Sequence, residues 1–289
     1  MSIPEVLIVG DSLPDAYHKA IRAFSENYQV ADCEDWNLQK KEQYTQRECA
    51  MTVHVKKPLL EPMISKLIIY GARELEQYRM EILDGILDFA VEAGVEDYTY
   101  SYRMRHPIDQ IQYAIDDLKR QKDMSSRRAV IGIRDNEQDT KLGNPACLQG
   151  IQLFVRGGEL EMFVTFRSND FANAFFGNAF ALICLQKKIA DELGVPVGGY
   201  HHRSHSMHVY ERDYNMYEGF AKSVDTKSLK ELVLFYDGND ETAYKPMMEE
   251  QTADILAELQ KKADEYEMKK KNIKGNIFTR LSKTMFGWR

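Results

Sequence analysis

The spacing of hydrophobic positions changes along the first sixty residues, and each change predicts a different element. The apolar run EVLIVG, from Glu5 to Gly10, predicts a strand, and a helix is expected near Asp15 to Glu26. After a polar stretch, CAMTVHVKK, from Cys49 to Lys57, alternates with a period of two, which is typical of a strand. The start of the chain is therefore predicted to be a small αβ unit.

Helical spacing is found in two longer stretches. Residues 64–94 favour a helix that ends at Gly94, because apolar side chains recur at spacings of three and four, at Leu75, Tyr78, Ile82 and Ile86. The most apolar helix is expected over residues 174–193, where Gly194 and Pro196 stop it. Its pattern predicts that it is buried against a sheet.

Two strands are predicted between these helices, and the chain changes character near its end. LQGIQLFVR and ELEMFVTF are separated by Gly157-Gly158, a two-residue turn that favours a tight hairpin. Residues 229–237 predict a further strand, and from Pro246 a charged helix leads into the basic tail NIKGNIFTRLSKTMFGWR. We therefore expect a domain over residues 1–240 and a helical, basic extension over residues 241–289.

Composition narrows the class of protein. Of the 289 residues, 44% are apolar, which is enough for a substantial core. The sequence has no run of eighteen apolar residues and starts without a basic leader, so neither a membrane span nor a secretion signal is predicted. We expect a cytoplasmic protein. The net charge of -7 argues against a general nucleic-acid surface. The cysteines lack CxxC spacing and predict reduced thiols, at Cys33, Cys49, Cys147 and Cys184.

Five short motifs follow one another between residues 98 and 215. They are Ser126-Arg127-Arg128, Pro145-x-Cys147, Arg167-Ser168-x-Asp170, Asn178 and His208-x-Tyr210. Twenty residues separate Arg127 from Cys147 and Cys147 from Arg167, and thirty separate Asn178 from His208. In this order and spacing the motifs resemble the thymidylate synthase family, particularly its shorter archaeal-type and phage-type branches.

The resemblance implies a fold, a reaction and an assembly. The fold is α+β, with a large twisted mixed sheet that forms a dimer interface and is surrounded by helices. The reaction is one-carbon transfer from 5,10-methylenetetrahydrofolate to C5 of a pyrimidine nucleoside monophosphate, most simply dUMP to dTMP. Two identical chains would share their active sites.

The resemblance also gives Cys147 its role. C5 of a pyrimidine becomes a nucleophile only after addition at C6, and a cysteine thiolate makes that addition in the family. A guanidinium beside the thiol lowers its pKa, and Arg167 is the expected neighbour. The remaining cysteines are interpreted as buried structural residues, because a lone cysteine usually packs as a small hydrophobe.

Substrate contacts are implied in the same way. Arginine binds phosphate with a fork of donors, so Arg167 and Ser168 are expected from one subunit and Arg127 and Arg128 from the other. Arg47 is a candidate for a further phosphate arginine. The amide of Asn178 can pair with O4 and N3–H of uracil, which favours a uracil nucleotide. The other expected contacts are His208 and Tyr210 to the sugar, Asp170 to the pterin or base, and Tyr100 and Gln152 around the nucleotide.

The family also uses a glutamate on an early helix to move ring protons. Glu76 is the candidate here, with Glu81 and Glu61 as alternatives. The tryptophans that stack on folate in the larger bacterial branch are absent, because the chain has only Trp36 and Trp288. Since that region and the C-terminal peptide control access of water to the intermediate, the sequence leaves a methyl and a hydroxymethyl product open.

Two further interpretations compete with these. HHRSHSMHVY places four histidines within eight residues, and on a helix His201, His205 and His208 could hold zinc. The family uses no metal at this segment, so we expect none. A non-catalytic paralogue that binds a nucleotide and uses the basic tail to contact RNA or a partner is the third alternative for function, and the intact Cys147 and Arg167 argue against it.

Overall fold

A computed structural model describes residues 2–37, 42–235 and 249–266. The predicted αβ start is present as β1 (Glu5–Gly10), α1 (Leu13–Glu26), β2 (Gln29–Asn37) and β3 (Glu42–Val55). The turn from β1 into α1 requires a glycine, because a Cβ at Gly10 would lie 2.5 Å from Ala16. Ser12 caps the helix by accepting a hydrogen bond from the Asp15 amide.

The helix predicted through to Gly94 is wrong in extent. Four shorter helices follow β3, namely α2 (Ala72–Asp84), α3 (Asp88–Glu92), α4 (Tyr100–Arg105) and α5 (Gln110–Arg120). Gly85 ends α2 with a φ of 67°, in the left-handed region, and a Cβ there would lie 2.4 Å from the Asp88 carboxylate. The apolar spacing continues past Gly85, so periodicity alone did not reveal this break.

One large mixed sheet organises the chain. Its later strands are β4 (Val130–Gly132), β5 (Leu148–Arg156), β6 (Glu159–Phe166), β7 (Asn169–Asp170) and β8 (Val197–Tyr210), with the short helix α6 (Asn136–Asp139) after β4. The order is β1-β3-β8-β6-β5-β4, and β2 and β7 pair with β3 and β8. The predicted hairpin between β5 and β6 is confirmed, and Gly157 and Gly158 both have positive φ, as a tight turn requires.

The predicted apolar helix is confirmed as α7 (Phe175–Leu193), which is buried over most of its length against the sheet. The helices α8 (Tyr214–Thr226), α9 (Leu229–Leu232) and α10 (residues 249–266) follow β8. The strand predicted over 229–237 is wrong for Leu229–Leu232, because Ser228 and Glu231 form a capping box that starts a helix, whereas Val233 pairs with Ser65 in an isolated antiparallel bridge. The basic tail and Trp288 lie outside the described residues.

The face of the sheet opposite α7 carries exposed apolar side chains. Leu7 is 69% exposed and Val130 47%, and Val9 and Phe163 are also exposed. Such a face matches the predicted dimer interface, which stays a prediction, as does the domain boundary at residue 240. Within the described part of the chain, every helix is too short or too polar to span a membrane.

Candidate active site

A cavity of about 1110 Å³ opens where β6 and β7 end and β5 begins. It brings together eight of the side chains that the sequence predicted for a site. They are Tyr100, Cys147, Arg167, Ser168, Asp170, Asn178, His208 and Tyr210. Strands β7 and β8, helices α4 and α7, and the loops that flank β5 and β6 therefore converge on one space, although more than a hundred positions separate the first residue from the last.

Cys147 and Arg167 lie side by side because they flank the paired strands β5 and β6. Cys147 directly precedes β5, Arg167 directly follows β6, and the Arg167 amide donates to the Cys147 carbonyl at 2.9 Å. The Arg167 guanidinium donates to the carbonyls of Ala146, at 3.1 Å, and Pro145, at 2.6 Å. Arg167 therefore holds the loop that carries the thiol.

Burial and charge act on the thiol in opposite directions. Burial raises the pKa of Cys147 above its usual value, and the Arg167 guanidinium lowers that pKa by a smaller amount. The expected effect of Arg167 is present, but it does not by itself make the thiol acidic. Any further cation near the sulfur would favour the thiolate.

Tyr100 lies beside the nucleophile candidate. Its hydroxyl accepts a hydrogen bond from the Leu148 amide at 3.3 Å, one residue beyond Cys147. Burial raises the pKa of Tyr100 well above its usual value, so the phenol keeps its proton and can donate it in a hydrogen bond to a ligand.

The strand pair β7–β8 supplies the opposite wall. Asp170 is in register with His208, and Ser168 Oγ lies 3.3 Å from His208 Nδ1. The Asp170 carboxylate also accepts hydrogen bonds from the amides of Ala172 and Asn173, at 3.1 and 3.0 Å. Asp170 therefore shapes the turn before α7 as well as lining the cavity.

Tyr78 is a cavity residue that the sequence did not identify as functional. Helical spacing marked it as one member of an apolar stripe, but its hydroxyl donates to Asn178 Oδ1 inside the cavity. Burial raises the pKa of Tyr78 well above its usual value. Other lining residues without a sequence signal include Gln46, Glu48, Tyr70, Glu74 and Asn169.

Glu76, the predicted proton-transfer residue, does not line the cavity. It is 1% exposed and accepts two hydrogen bonds from Arg79, both at 2.7 Å, and one from Thr252 of α10 at 3.0 Å. The alternatives Glu81 and Glu61 also lie outside the cavity lining. On α2 it is Glu74, two positions earlier, that faces the cavity.

Arg47 is also directed away from the cavity. Because side chains alternate along β3, its neighbours Gln46 and Glu48 line the cavity, whereas Arg47 pairs with Glu218 at 2.9 Å. Its guanidinium stacks over the ring of Tyr214, 4.1 Å from the centroid. This arrangement does not support a phosphate role for Arg47 within one chain.

Arg127, Arg128 and Gln152 lie outside the cavity of their own chain. Gln152 Nε2 donates to the Arg127 carbonyl at 3.0 Å, which orders the segment that carries both arginines. The Arg128 side chain is 68% exposed and lies 3.4 Å from the Asp117 carboxylate. Both arginine side chains are therefore at the surface, away from this chain's own cavity.

The histidine cluster lies on strand β8 and not on a helix, so its members face in different directions. His201 Nε2 lies 2.8 Å from the Glu161 carboxylate and its ring stacks on Phe163, whereas His202 is fully buried. Among the described residues, no group of three or more His, Cys, Asp or Glu side chains has an arrangement that could hold a metal ion.

Comparison with known proteins identifies the family. The sequence model of the family described as "Thymidylate synthase" matches residues 69–255, well over half of the chain. The chain belongs to the thymidylate synthase family. The resemblance drawn from the five motifs is therefore confirmed, and every cavity residue from Tyr70 onward belongs to the matched region.

Individual relatives come from both branches that the motifs suggested. A Methanocaldococcus jannaschii protein named "Putative thymidylate synthase" is 34% identical over 172 residues, which is 56% of this chain and 75% of that protein. A "Deoxyuridylate hydroxymethyltransferase" of Pseudomonas phage M6 is 30% identical over 161 residues, 53% of this chain and 45% of that protein. The relatives of this chain are thus named for two different reactions.

A solved structure gives the same fold. Thermostable thymidylate synthase A from Bacillus subtilis superposes with a TM-score of 0.58 and 18% identity, over 77% of this chain and 92% of that chain. The α+β class with a large mixed sheet and surrounding helices is thereby confirmed for this thymidylate synthase family member.

Proposed function

We propose that the protein transfers a one-carbon unit from 5,10-methylenetetrahydrofolate to C5 of a pyrimidine nucleoside monophosphate, most simply converting dUMP to dTMP. The observation that carries the proposal is the meeting of Cys147, Arg167 and Asn178 in one cavity. These side chains supply a nucleophile, a guanidinium that binds the phosphate of the nucleotide, and an amide that recognises the base. The reaction needs all three groups.

The chain's own residues account for activation of the ring. Cys147 Sγ adds to C6, the ring electrons move toward O4, and C5 becomes a carbon nucleophile. The protonated Tyr100 hydroxyl and the Asn178 amide donate hydrogen bonds at the cavity wall, where charge develops. After C5 has bonded to the one-carbon unit and a base has removed the C5 proton, elimination of Sγ from C6 restores the ring and frees the thiol.

The cavity suits a second ligand beside the nucleotide. Its volume of about 1110 Å³ exceeds the ~300–1,000 Å³ typical of a site for one small molecule. Tyr70, Tyr78 and Tyr100 provide aromatic surface for a flat ring system, and Glu74 lies at the same wall. When bound, methylenetetrahydrofolate would supply the one-carbon unit and, for a methyl product, the hydride.

A second candidate is a pyrimidine nucleotide hydroxymethylase, in which water replaces hydride in the last step. The phage relative named for that reaction favours it. The test is to incubate the protein with dUMP that carries a labelled C5 hydrogen and with methylenetetrahydrofolate, then to measure label release and product mass. A methyl product supports the synthase and a hydroxymethyl product the second candidate, whereas no release from dUMP, UMP, dCMP or CMP contradicts both.

Shared sites in a homodimer give a prediction of their own. The Cys147→Ala chain and the double variant Arg127→Ala, Arg128→Ala are each expected to be nearly inactive. Mixed and allowed to exchange subunits, they should recover about a quarter of wild-type activity, because half of the dimers are mixed and each has one intact site.

The matched control for this mixing experiment uses two variants of the same half-site. Cys147→Ala mixed with Arg167→Met should recover no activity, since every site then lacks one of the two groups. Equal recovery in both mixtures, or none in the first, would contradict the assignment of Arg127 and Arg128 to the partner's site.

The two glutamates of α2 give a further prediction. Glu74→Gln should lower kcat by about 10²-fold, because the carboxylate that faces the cavity is proposed to manage the ring proton through water. Glu76→Gln should instead lower the free energy of unfolding by about 2 kcal/mol, since half-buried Arg79 loses its charged partner. Urea denaturation and steady-state kinetics on both variants check this, and a large kcat loss confined to Glu76→Gln would reverse the assignment.

A further inference from the structure

A continuous line of hydrogen bonds leads from the cavity into the core. The Tyr78 hydroxyl donates to Asn178 Oδ1, and Asn178 Nδ2 donates to Asn169 Oδ1 at 3.2 Å. Asn169 Nδ2 lies 2.9 Å from His202 Nε2, and His202 Nδ1 lies 3.0 Å from the Tyr200 hydroxyl. Four of these five side chains are buried, and Asn178 and Asn169 belong to the cavity wall from which the line starts.

His202 has one donor and one acceptor nitrogen, because burial lowers its pKa to about 3 and keeps the ring neutral. Its ring is held between Phe166, stacked at 4.7 Å, and Phe175, edge-on at 4.8 Å. Asn169 places Nδ2 toward His202, which makes Nε2 the acceptor and Nδ1 the donor to the Tyr200 hydroxyl. Asn169 Oδ1 is then left facing Asn178.

This arrangement opposes rotation of the Asn178 amide. If Asn178 turned over, its Oδ1 would face Asn169 Oδ1, and two acceptors would meet in a buried space without a proton between them. Leaving a buried polar group unsatisfied costs about 1–3 kcal/mol. Asn178 therefore has one preferred orientation, and its remaining N–H and lone pair occupy defined positions at the cavity.

The orientation matters because uracil and cytosine present opposite patterns. Uracil offers an acceptor at O4 and a donor at N3, whereas cytosine offers a donor at N4 and an acceptor at N3. For a base held in one position, an amide complements one pattern, and the same amide turned over complements the other. We infer that Asn169, held by His202, is a positioning residue that sets the choice between uracil and cytosine by holding the Asn178 amide in one orientation.

The inference deepens the proposed function and rests on it. Its test is the ratio of dissociation constants for dCMP and dUMP, measured by calorimetry without folate, so that turnover is not needed. Asn169→Leu removes the oxygen that opposes rotation, and His202→Phe releases Asn169 while keeping a ring between Phe166 and Phe175. Each should lower the wild-type preference for one base about tenfold, which corresponds to ~1.4 kcal/mol.

Two control variants separate orientation from general damage. Asn169→Asp keeps an acceptor toward Asn178, so the ratio should stay within about twofold of wild type. Gln186→Met removes another buried amide of α7, which bonds the carbonyls of Leu160 and Gly199 away from the cavity. It should lower the melting temperature and leave the ratio unchanged.

The outcomes distinguish this inference from the proposed function. Unchanged ratios in both Asn169→Leu and His202→Phe would overturn the inference, even if overall affinity fell. A lowered ratio of the two dissociation constants in both of these variants, with a wild-type ratio in Asn169→Asp and Gln186→Met, supports the inference. Selective dUMP binding without release of the C5 label would instead contradict the proposed reaction and leave the role of Asn169 supported.

Discussion

Replacement of Cys147 by alanine is expected to abolish release of the C5 hydrogen from dUMP, a loss of about 10⁴-fold or more. The other cavity residues cannot replace it, because the described cavity lining contains one thiol. Nucleotide binding should persist, since Arg167 and Asn178 are unchanged. Label release and equilibrium binding of dUMP measure the two effects separately.

Cys184→Ala is the matched control. Cys184 is 6% exposed on α7 and lies outside the cavity lining, so its loss should cost some stability and no catalysis. Turnover by Cys147→Ala at a rate near wild type, or loss of activity in Cys184→Ala with normal stability, would mean that the nucleophile is misassigned.

Arg167 gives the second large effect, and two substitutions separate its geometry from its charge. Arg167→Lys keeps a cation but cannot hold the Pro145 and Ala146 carbonyls and a phosphate together, so kcat/KM should fall about 10²–10³-fold. Arg167→Met also removes the charge. Because that charge lowers the pKa of the Cys147 thiol, its loss should raise this pKa further.

The consequence for pH dependence has a definite sign. The thiolate is the reactive form, so activity rises as pH rises through the pKa of the thiol. Arg167→Met should move this limb of the kcat/KM profile to higher pH, whereas Arg167→Lys should leave it near the wild-type position. Arg22→Met, which removes a surface pair with Asp225, is the control and should change neither. A limb displaced equally by Arg167→Lys and Arg167→Met would contradict the electrostatic role of Arg167.

Much of the cavity could be predicted because its residues keep a fixed spacing along the chain. Cys147 and Arg167 precede and follow the β5–β6 hairpin, whose two-glycine turn sets their separation. Asn178 and His208 are likewise placed by the length of α7 and the return along β8. Where regular elements of definite length connect two residues, sequence spacing carries three-dimensional information.

The site residues that the sequence analysis misplaced depend on which face of a helix or strand points into the cavity, and the sequence pattern did not reveal that face. Glu74 and Glu76 are two positions apart on α2, about 200° around the helix, so packing alone decides which faces the cavity. Arg47 was misplaced for the same reason on a strand, where one position exchanges the faces. The Asn169–His202 pair gave no signal, because its members lie far apart along the chain and each resembles an ordinary polar residue in a strand.

Covalent attachment of the nucleotide to Cys147 tests the central claim most directly. A C5 fluorine cannot leave as a cation as the C5 hydrogen leaves as a proton, so 5-fluoro-dUMP with methylenetetrahydrofolate should stop the reaction while Sγ is still bonded to C6. Peptide mass spectrometry of the protein after this incubation should find the added mass on the peptide that contains Cys147. An adduct on another cysteine, or no adduct in a preparation that turns over dUMP, would contradict the account.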